Sequence, residues 1–160
     1  MYFSVKWERR TVRSFSYNLN YTYSGREFNP GIGYVNRGSL KGLSGKISYG
    51  WLPGRESRLF NIMAELSASR YMRLSDGKME SMSVAPAWSI ETKSGYKTSL
   101  SVEYQQEGVL YNFPITDSIS VMAGNYEFAN SVLSFQTPSG KHISATLTLN
   151  AGGFYNGKRY

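Results

Sequence analysis

The chain has no cysteine, one histidine and no long apolar run. Without cysteine there is neither a disulfide framework nor a thiolate metal site. With His142 alone, no two-histidine metal centre can form, and a Ser-His-Asp triad would depend on that single side chain beside the "PSG" turn. No metal and no cofactor are therefore expected. No segment approaches the ~18 consecutive apolar residues of a membrane helix. That absence leaves barrel strands untouched, because they hide their apolar residues by alternation. A dense Lys/Arg run is missing as well. The net charge of +7 comes from scattered residues such as Arg9, Arg10, Arg26, Arg55 and Arg70. No RNA-binding aromatic block accompanies them, so no nucleic-acid partner is expected.

What the sequence does contain is aromatic and alternating. Aromatics make up 15% of the 160 residues, with 13 tyrosines, which favours strands. In "SFSYNLNYTYS" Phe15, Tyr17, Leu19, Tyr21 and Tyr23 interleave with Ser, Asn and Thr. The same period of two recurs in Leu43–Trp51, Phe60–Ala68, Met82–Ile90, Tyr96–Tyr104 and Ile143–Leu149, and no window shows a comparable helical period. The pattern predicts about eight strands at 2–7, 12–24, 39–51, 58–71, 79–92, 96–106, 125–136 and 142–152. Several exceed the usual soluble length and suit the ~9–11 residues that cross a bilayer at a tilt. A bulge is expected near Ala129–Asn130, where alternation lapses, and a weakened ladder at Pro86.

The connections read as short, long, short, long, the order of an antiparallel up-and-down meander with two unlike ends. A "KSG" loop sets Glu91 across from Lys97, and a "PSG" tip sets Phe135 across from Ile143 and Leu133 across from Ala145. The expected fold is all-β: a single domain over 1–160 that forms part of a transmembrane β-barrel. Its apolar face meets the lipid bilayer. Phe15, Trp51, Phe60, Trp88, Tyr96 and Phe135 form a girdle at one end, and Tyr23 and Tyr104 at the other. Lys46, Glu65, Glu91, Lys97 and Glu103 then belong to a polar lumen.

No residue is assigned a catalytic role. Glu65, Glu91 and Glu103 are the carboxylates a glycoside-cleaving site would have to use, but their spacing fixes no ~5–10 Å pair. Loop aromatics are the better binding candidates: Phe28, Tyr34, Tyr111, Phe113 and Tyr155, with Phe154, can stack on sugar rings or pack at the barrel mouth.

Three stretches carry a resemblance. "FNPGIGYVNR" (28–37), "ISVMAGNYEF" (119–128) and "GGFYNGKR" (152–159) resemble, in order and spacing, segments of one barrel family. That family is the C-terminal outer-membrane domain of unknown function that follows a family-9-type carbohydrate-binding module in Gram-negative bacterial proteins. Tyr34 stands where the family has Phe, and Val121-Met122 where it has Ile-Pro. The resemblance implies an outer-membrane location, carbohydrate as a partner, an upstream sugar-binding module and further barrel strands, this chain being an internal piece. In the 28–37 loop, Phe28, Asn29, Pro30, Gly33 and Arg37 read as a structural motif: Pro30 stiffens, Gly33 supplies a positive φ, and Arg37 binds carbonyls or a carboxylate. Two other readings stay open: a soluble all-β glycan-binding module, and a domain associated with a glycoside hydrolase.

Overall fold

The computed structural model describes residues 1–26, 39–116, 119–140, 143–155 and 157–160. Among them there is no helix. Nine strands form one antiparallel sheet: β1 (Tyr2–Arg9), β2 (Ser14–Ser24), β3 (Leu40–Trp51), β4 (Leu59–Arg73), β5 (Met79–Thr92), β6 (Lys97–Val109), β9 (Gly124–Gln136), β10 (Thr146–Phe154) and β11 (Gly157–Arg159). Each neighbours the next along the chain, as a meander requires. Between β6 and β9, β7 (Phe113–Thr116) and β8 (Ile119–Val121) make a separate two-stranded hairpin. No ladder joining β1 to β10 or β11 is seen among the described residues.

Alternation is what selects this sheet. Because side chains alternate sides, a continuous register places every apolar set on one face. The ladders keep that phase throughout. Phe15 faces Tyr49, Tyr49 faces Ala64, Ala64 faces Trp88, Trp88 faces Leu100, Leu100 faces Leu133, and Leu133 faces Leu149. On the other face runs Ser16–Ser48–Glu65–Ala87–Ser101–Val132–Asn150.

Several local expectations fared differently. Glu91 does face Lys97, and Ile90 faces Thr98. At Pro86 the β5–β6 ladder lapses between Val84–Tyr104 and Ala87–Ser101 and resumes in the same register, as a residue without an N–H demands. The tip of the β9–β10 hairpin is longer than "PSG". Phe135 pairs with Leu147 and Leu133 with Leu149, four residues beyond the expected partners. Thr137 accounts for the length: its backbone N–H donates to Ala145 O (3.0 Å), and its Oγ1 accepts from Ala145 N (2.8 Å). An even shift leaves the faces unchanged, so apolar still meets apolar.

The bulge expected at Ala129–Asn130 is absent, since the β6–β9 ladder runs unbroken there. Register shifts occur instead in the β4–β5 ladder, between Leu59 and Asn61 and between Tyr71 and Met72. Alternation lapses at 127–130 because Glu127 lies on the apolar side beyond the end of its apolar run, while Phe128 turns into the polar face. The loops are also less regular than expected. One end of the sheet, here the lower, has connections 10–13, 52–58, 93–96 and 137–145. The upper end has 25–39, 74–78, 110–123 and the two-residue connection 155–156.

Turn 74–78 is tight for a chemical reason. Arg73 donates from Nε and Nη2 to the two Asp76 carboxylate oxygens, both at 3.2 Å, and from Nη1 to Gly108 O at 3.2 Å. Gly77, with φ of 69°, then closes the turn by donating to Arg73 O. Arg73 and Lys78, in that order, hold the Asp76 carboxyl below its ordinary value of 3.8.

Candidate functional site

A soluble sheet hides its apolar face; this one exposes it. On the apolar face, Trp7 is 65% exposed, Leu43 58% and Leu147 56%. Trp51, Phe60, Leu66, Trp88, Ile90, Leu133 and Phe135 are exposed too. Among the described residues no second sheet covers them. The polar face is the more enclosed one: the side chains of Glu8 and Glu65 are only 27% exposed. Among the described residues the buried hydrophobic side chains are Leu40, Val121 and Phe128, all at the upper end.

The apolar face is a band with charged borders. On β3 it runs from Trp51 to Leu43 and stops at Lys41; on β4 it runs from Phe60 to Ala68 and stops at Arg70. Beyond Tyr104 on β6 come Gln106 and, across the ladder, Glu127. Those groups bind one another. Tyr104 Oη donates to Glu127 Oε2 (2.8 Å), and Gln106 Nε2 donates to Tyr104 Oη (2.7 Å) and Glu127 Oε1 (3.0 Å). The tyrosine ring thus lies in the band and its hydroxyl in the polar border. At the lower end Tyr49 and Trp51 are 4.6 Å apart, and Tyr96 stacks on Phe135 at 6.0 Å. At the upper end Phe3 stacks on Tyr23 at 5.7 Å.

The band also crosses the strands obliquely. On β1 it covers Phe3, Val5 and Trp7, with Arg9 marking its lower border. Val5 lies in the row of Tyr21, Leu43 and Arg70. On β10 the band covers Leu147, Leu149 and Ala151, and Leu149 lies in the row of Leu133, Trp88 and Tyr49. Measured along β3, the centre therefore drifts by about six residues over seven ladders. At ~3.3 Å per residue and ~4.8 Å per strand this is an angle of roughly 30°.

The polar face is knitted by hydrogen bonds. Ser16 and Ser48 hydroxyls meet at 2.6 Å, Ser69 and Ser83 at 3.0 Å, and Asn18 Nδ2 donates to Glu8 Oε2 at 3.0 Å. Of the five expected lumen charges, Lys46 pairs with Glu65 (3.0 Å) and Lys97 with Glu91 (3.4 Å). Glu103 lies across from Asn130. A second ionic group, Lys6–Glu8–Arg10, was not singled out by sequence reasoning. The register places Glu65 and Glu91 on neighbouring strands four residues apart, roughly 14 Å of backbone. Glu103 stands six residues from Lys97, the partner of Glu91, roughly 20 Å along β6. Those distances exceed the ~5–10 Å that paired glycosidase carboxylates require.

At the upper end, aromatic rings gather on the polar side. Tyr155 touches Phe154 (4.8 Å), Tyr126 (5.1 Å), Phe128 (5.5 Å) and Phe113 (5.8 Å). Its hydroxyl donates to Glu107 Oε2 at 2.8 Å. The backbone of Tyr155 has φ of 49°, a conformation that non-glycine residues rarely hold without outside support. Four ring contacts and a charged hydrogen bond supply it. Phe113 starts β7, so the cluster ties the β7–β8 hairpin to the sheet, helped by Tyr126 Oη donating to Met122 O (2.8 Å). Of the expected binding aromatics, Phe113, Phe154 and Tyr155 come together here, whereas Tyr111 is 80% exposed and outside the cluster. Phe28, Asn29, Pro30, Gly33, Tyr34 and Arg37 lie outside the described residues, as does His142. Among the described residues no group of three His, Asp or Glu side chains could hold a metal ion.

Neither the family models nor the curated proteins nor the solved structures compared with this chain contain a match. The functional reading therefore rests on the two faces themselves.

Proposed function

We propose that the chain is a segment of an outer-membrane β-barrel, a non-catalytic scaffold or pore whose apolar face meets lipid. One observation carries this reading: the apolar face is the exposed one, and the hydrogen-bonded polar face the enclosed one. In water, at ~25 cal/mol per Å² of apolar surface, leaving so many large side chains uncovered forfeits the main driving force of folding. In a bilayer the same face is satisfied. The oblique band adds support, because a slab of lipid crossing strands tilted by ~35–45° intersects them obliquely. Rings at both borders support interfacial girdles, and the Tyr104 hydroxyl, held by Glu127 and Gln106 at the polar border, supports a headgroup-level tyrosine.

An association with carbohydrate uptake rests on the resemblance of residues 28–37, 119–128 and 152–159. It implies further barrel strands and an upstream sugar-binding module as partners. The ring cluster around Tyr155 supplies aromatic surface at the upper mouth, where a sugar would arrive. A soluble glycan-binding module would need its apolar face covered, which the fold does not provide among the described residues.

The reading is tested by refolding the chain with phosphatidylcholine vesicles. It should float with the lipid and resist extraction at alkaline pH. A monodisperse monomer that stays in solution without detergent contradicts it.

A further inference from the structure

On the apolar face, between β2 and β5, lies an open groove of about 610 Å³. Its floor is made by small residues: Gly45 faces Ala68 across the β3–β4 ladder. An added Cβ at Gly45 would stand 2.8 Å from a Leu19 methyl and 3.2 Å from Asn18 O, so a larger side chain there requires Leu19 to move. Leu43, Ile47, Leu66 and Val84 form the walls. The groove is apolar along its middle; Arg70 and Lys41 stand at its upper end, while Lys46, which also lines it, is paired with Glu65. Arg70 faces Leu43 directly, and Lys41 lies one row further up the same face. Both are exposed, and neither forms an ion pair with a described residue. From Arg70 to Leu66 the groove follows roughly 13 Å of strand.

We infer that this groove holds one acyl chain of a lipid whose anionic, phosphate-bearing headgroup is bound by Arg70 and Lys41. The inference rests on the bilayer reading and adds a choice of lipid to it. Two cations with no ion pair among the described residues, at the very edge of an apolar band, are costly beside a zwitterionic surface and favourable beside an anionic one. Arginine also binds a phosphate through two parallel N–H donors, which orients the headgroup over the notch. The shape fits the same occupant. A flexible chain seats against Gly45 and Ala68, while the bulkier flanks prevent it from sliding sideways.

The test uses the full chain refolded in maltoside micelles with equal amounts of phosphatidylcholine and phosphatidylglycerol of the same acyl length. Retained lipid is counted by native mass spectrometry. One phosphatidylglycerol should be held in preference. Arg70→Ala and Lys41→Ala should each reduce that preference by about fivefold. Ala68→Leu, which fills the notch and keeps the charges, should reduce retention of both lipids. Heat-modifiable migration on gels identifies any variant that has failed to fold, and Ser69→Ala on the opposite face controls for substitution in β4. Equal retention of the two lipids, a preference untouched when Arg70→Ala and Lys41→Ala are combined, or a second copy of the chain on the face in place of lipid would each overturn the inference. Flotation with pure phosphatidylcholine vesicles separates the two claims. If it succeeds without any headgroup preference, only the groove assignment fails; if it fails, the bilayer reading fails with it.

Discussion

The two faces of the sheet invert the usual relation between polarity and burial. Serines, asparagines and paired charges occupy the enclosed side, and Trp, Leu and Ile occupy the open side. Both faces come from the same strands and the same hydrogen-bond ladders, so the backbone cannot be the source of the difference. On the proposed bilayer reading, what differs is the medium each face meets. One face joins serine, asparagine and charged side chains to one another; the other carries no charged side chain between its borders, and its polar side-chain atoms there are hydroxyls such as those of Tyr17, Tyr49 and Ser131.

The sharpest way to break this comparison is to put one charge on each face at the same height. Leu66→Arg, in the middle of the apolar band, should cost about 2–4 kcal/mol in vesicles, read from denaturant unfolding. Ser67→Arg, its neighbour on the polar face, should change stability by far less. Equal penalties would mean that both faces see the same surroundings.

A smaller effect is expected where the polar face is crowded. An added Cβ at Gly42 would overlap the Tyr71 ring, which lies across it in the ladder. Gly42→Val should therefore destabilise by roughly 1–3 kcal/mol, measured in the same assay. Gly54 has nothing near its Cβ position, and Gly54→Ala should be close to neutral.

Removing one hydroxyl in the upper cluster is milder again. Tyr155→Phe keeps the ring contacts but leaves Glu107 without that donor, for a loss of about 1 kcal/mol. Protease sensitivity in the β7–β8 hairpin should rise with it, because Phe113 is anchored through Tyr155.

The mildest effect concerns pH. The Asp76 carboxyl is held below 3.8 by Arg73 and Lys78, so its contribution is present above the ordinary carboxylate range and is lost as pH falls through the lowered folded value. Vesicle-bound protein should thus lose protection of turn 74–78 only in strong acid, and Asp76→Asn should remove that pH dependence. Hydrogen exchange at Gly77 reads it directly.

How much of this was legible in the sequence follows from which signals are periodic. The long strands and the two faces were, because period two repeats through them. The Glu91–Lys97 register was legible because a short loop fixes it. The β9–β10 register was not, since the Thr137–Ala145 bonds that lengthen its tip leave no mark on alternation. The lapse of alternation around Ala129–Asn130 misled in an instructive way: it suggested a bulge, when the apolar band had ended and Phe128 lay on the polar face. The β7–β8 hairpin, β11 and the Arg73 clamp carry no periodic signal. Of the site candidates, Phe113 and Tyr155 were visible as aromatics, but their union with Tyr126 and Phe128 depends on contacts distant in sequence.

The central claim is that the apolar face meets acyl chains, and the three tryptophans allow it to be tested directly. Trp7, Trp51 and Trp88 are the only tryptophans in the chain, and all three lie on that face. In vesicles of brominated phosphatidylcholine their fluorescence should be strongly quenched, while iodide added to the water should have little effect. Strong quenching by iodide with none from brominated lipid would contradict the account.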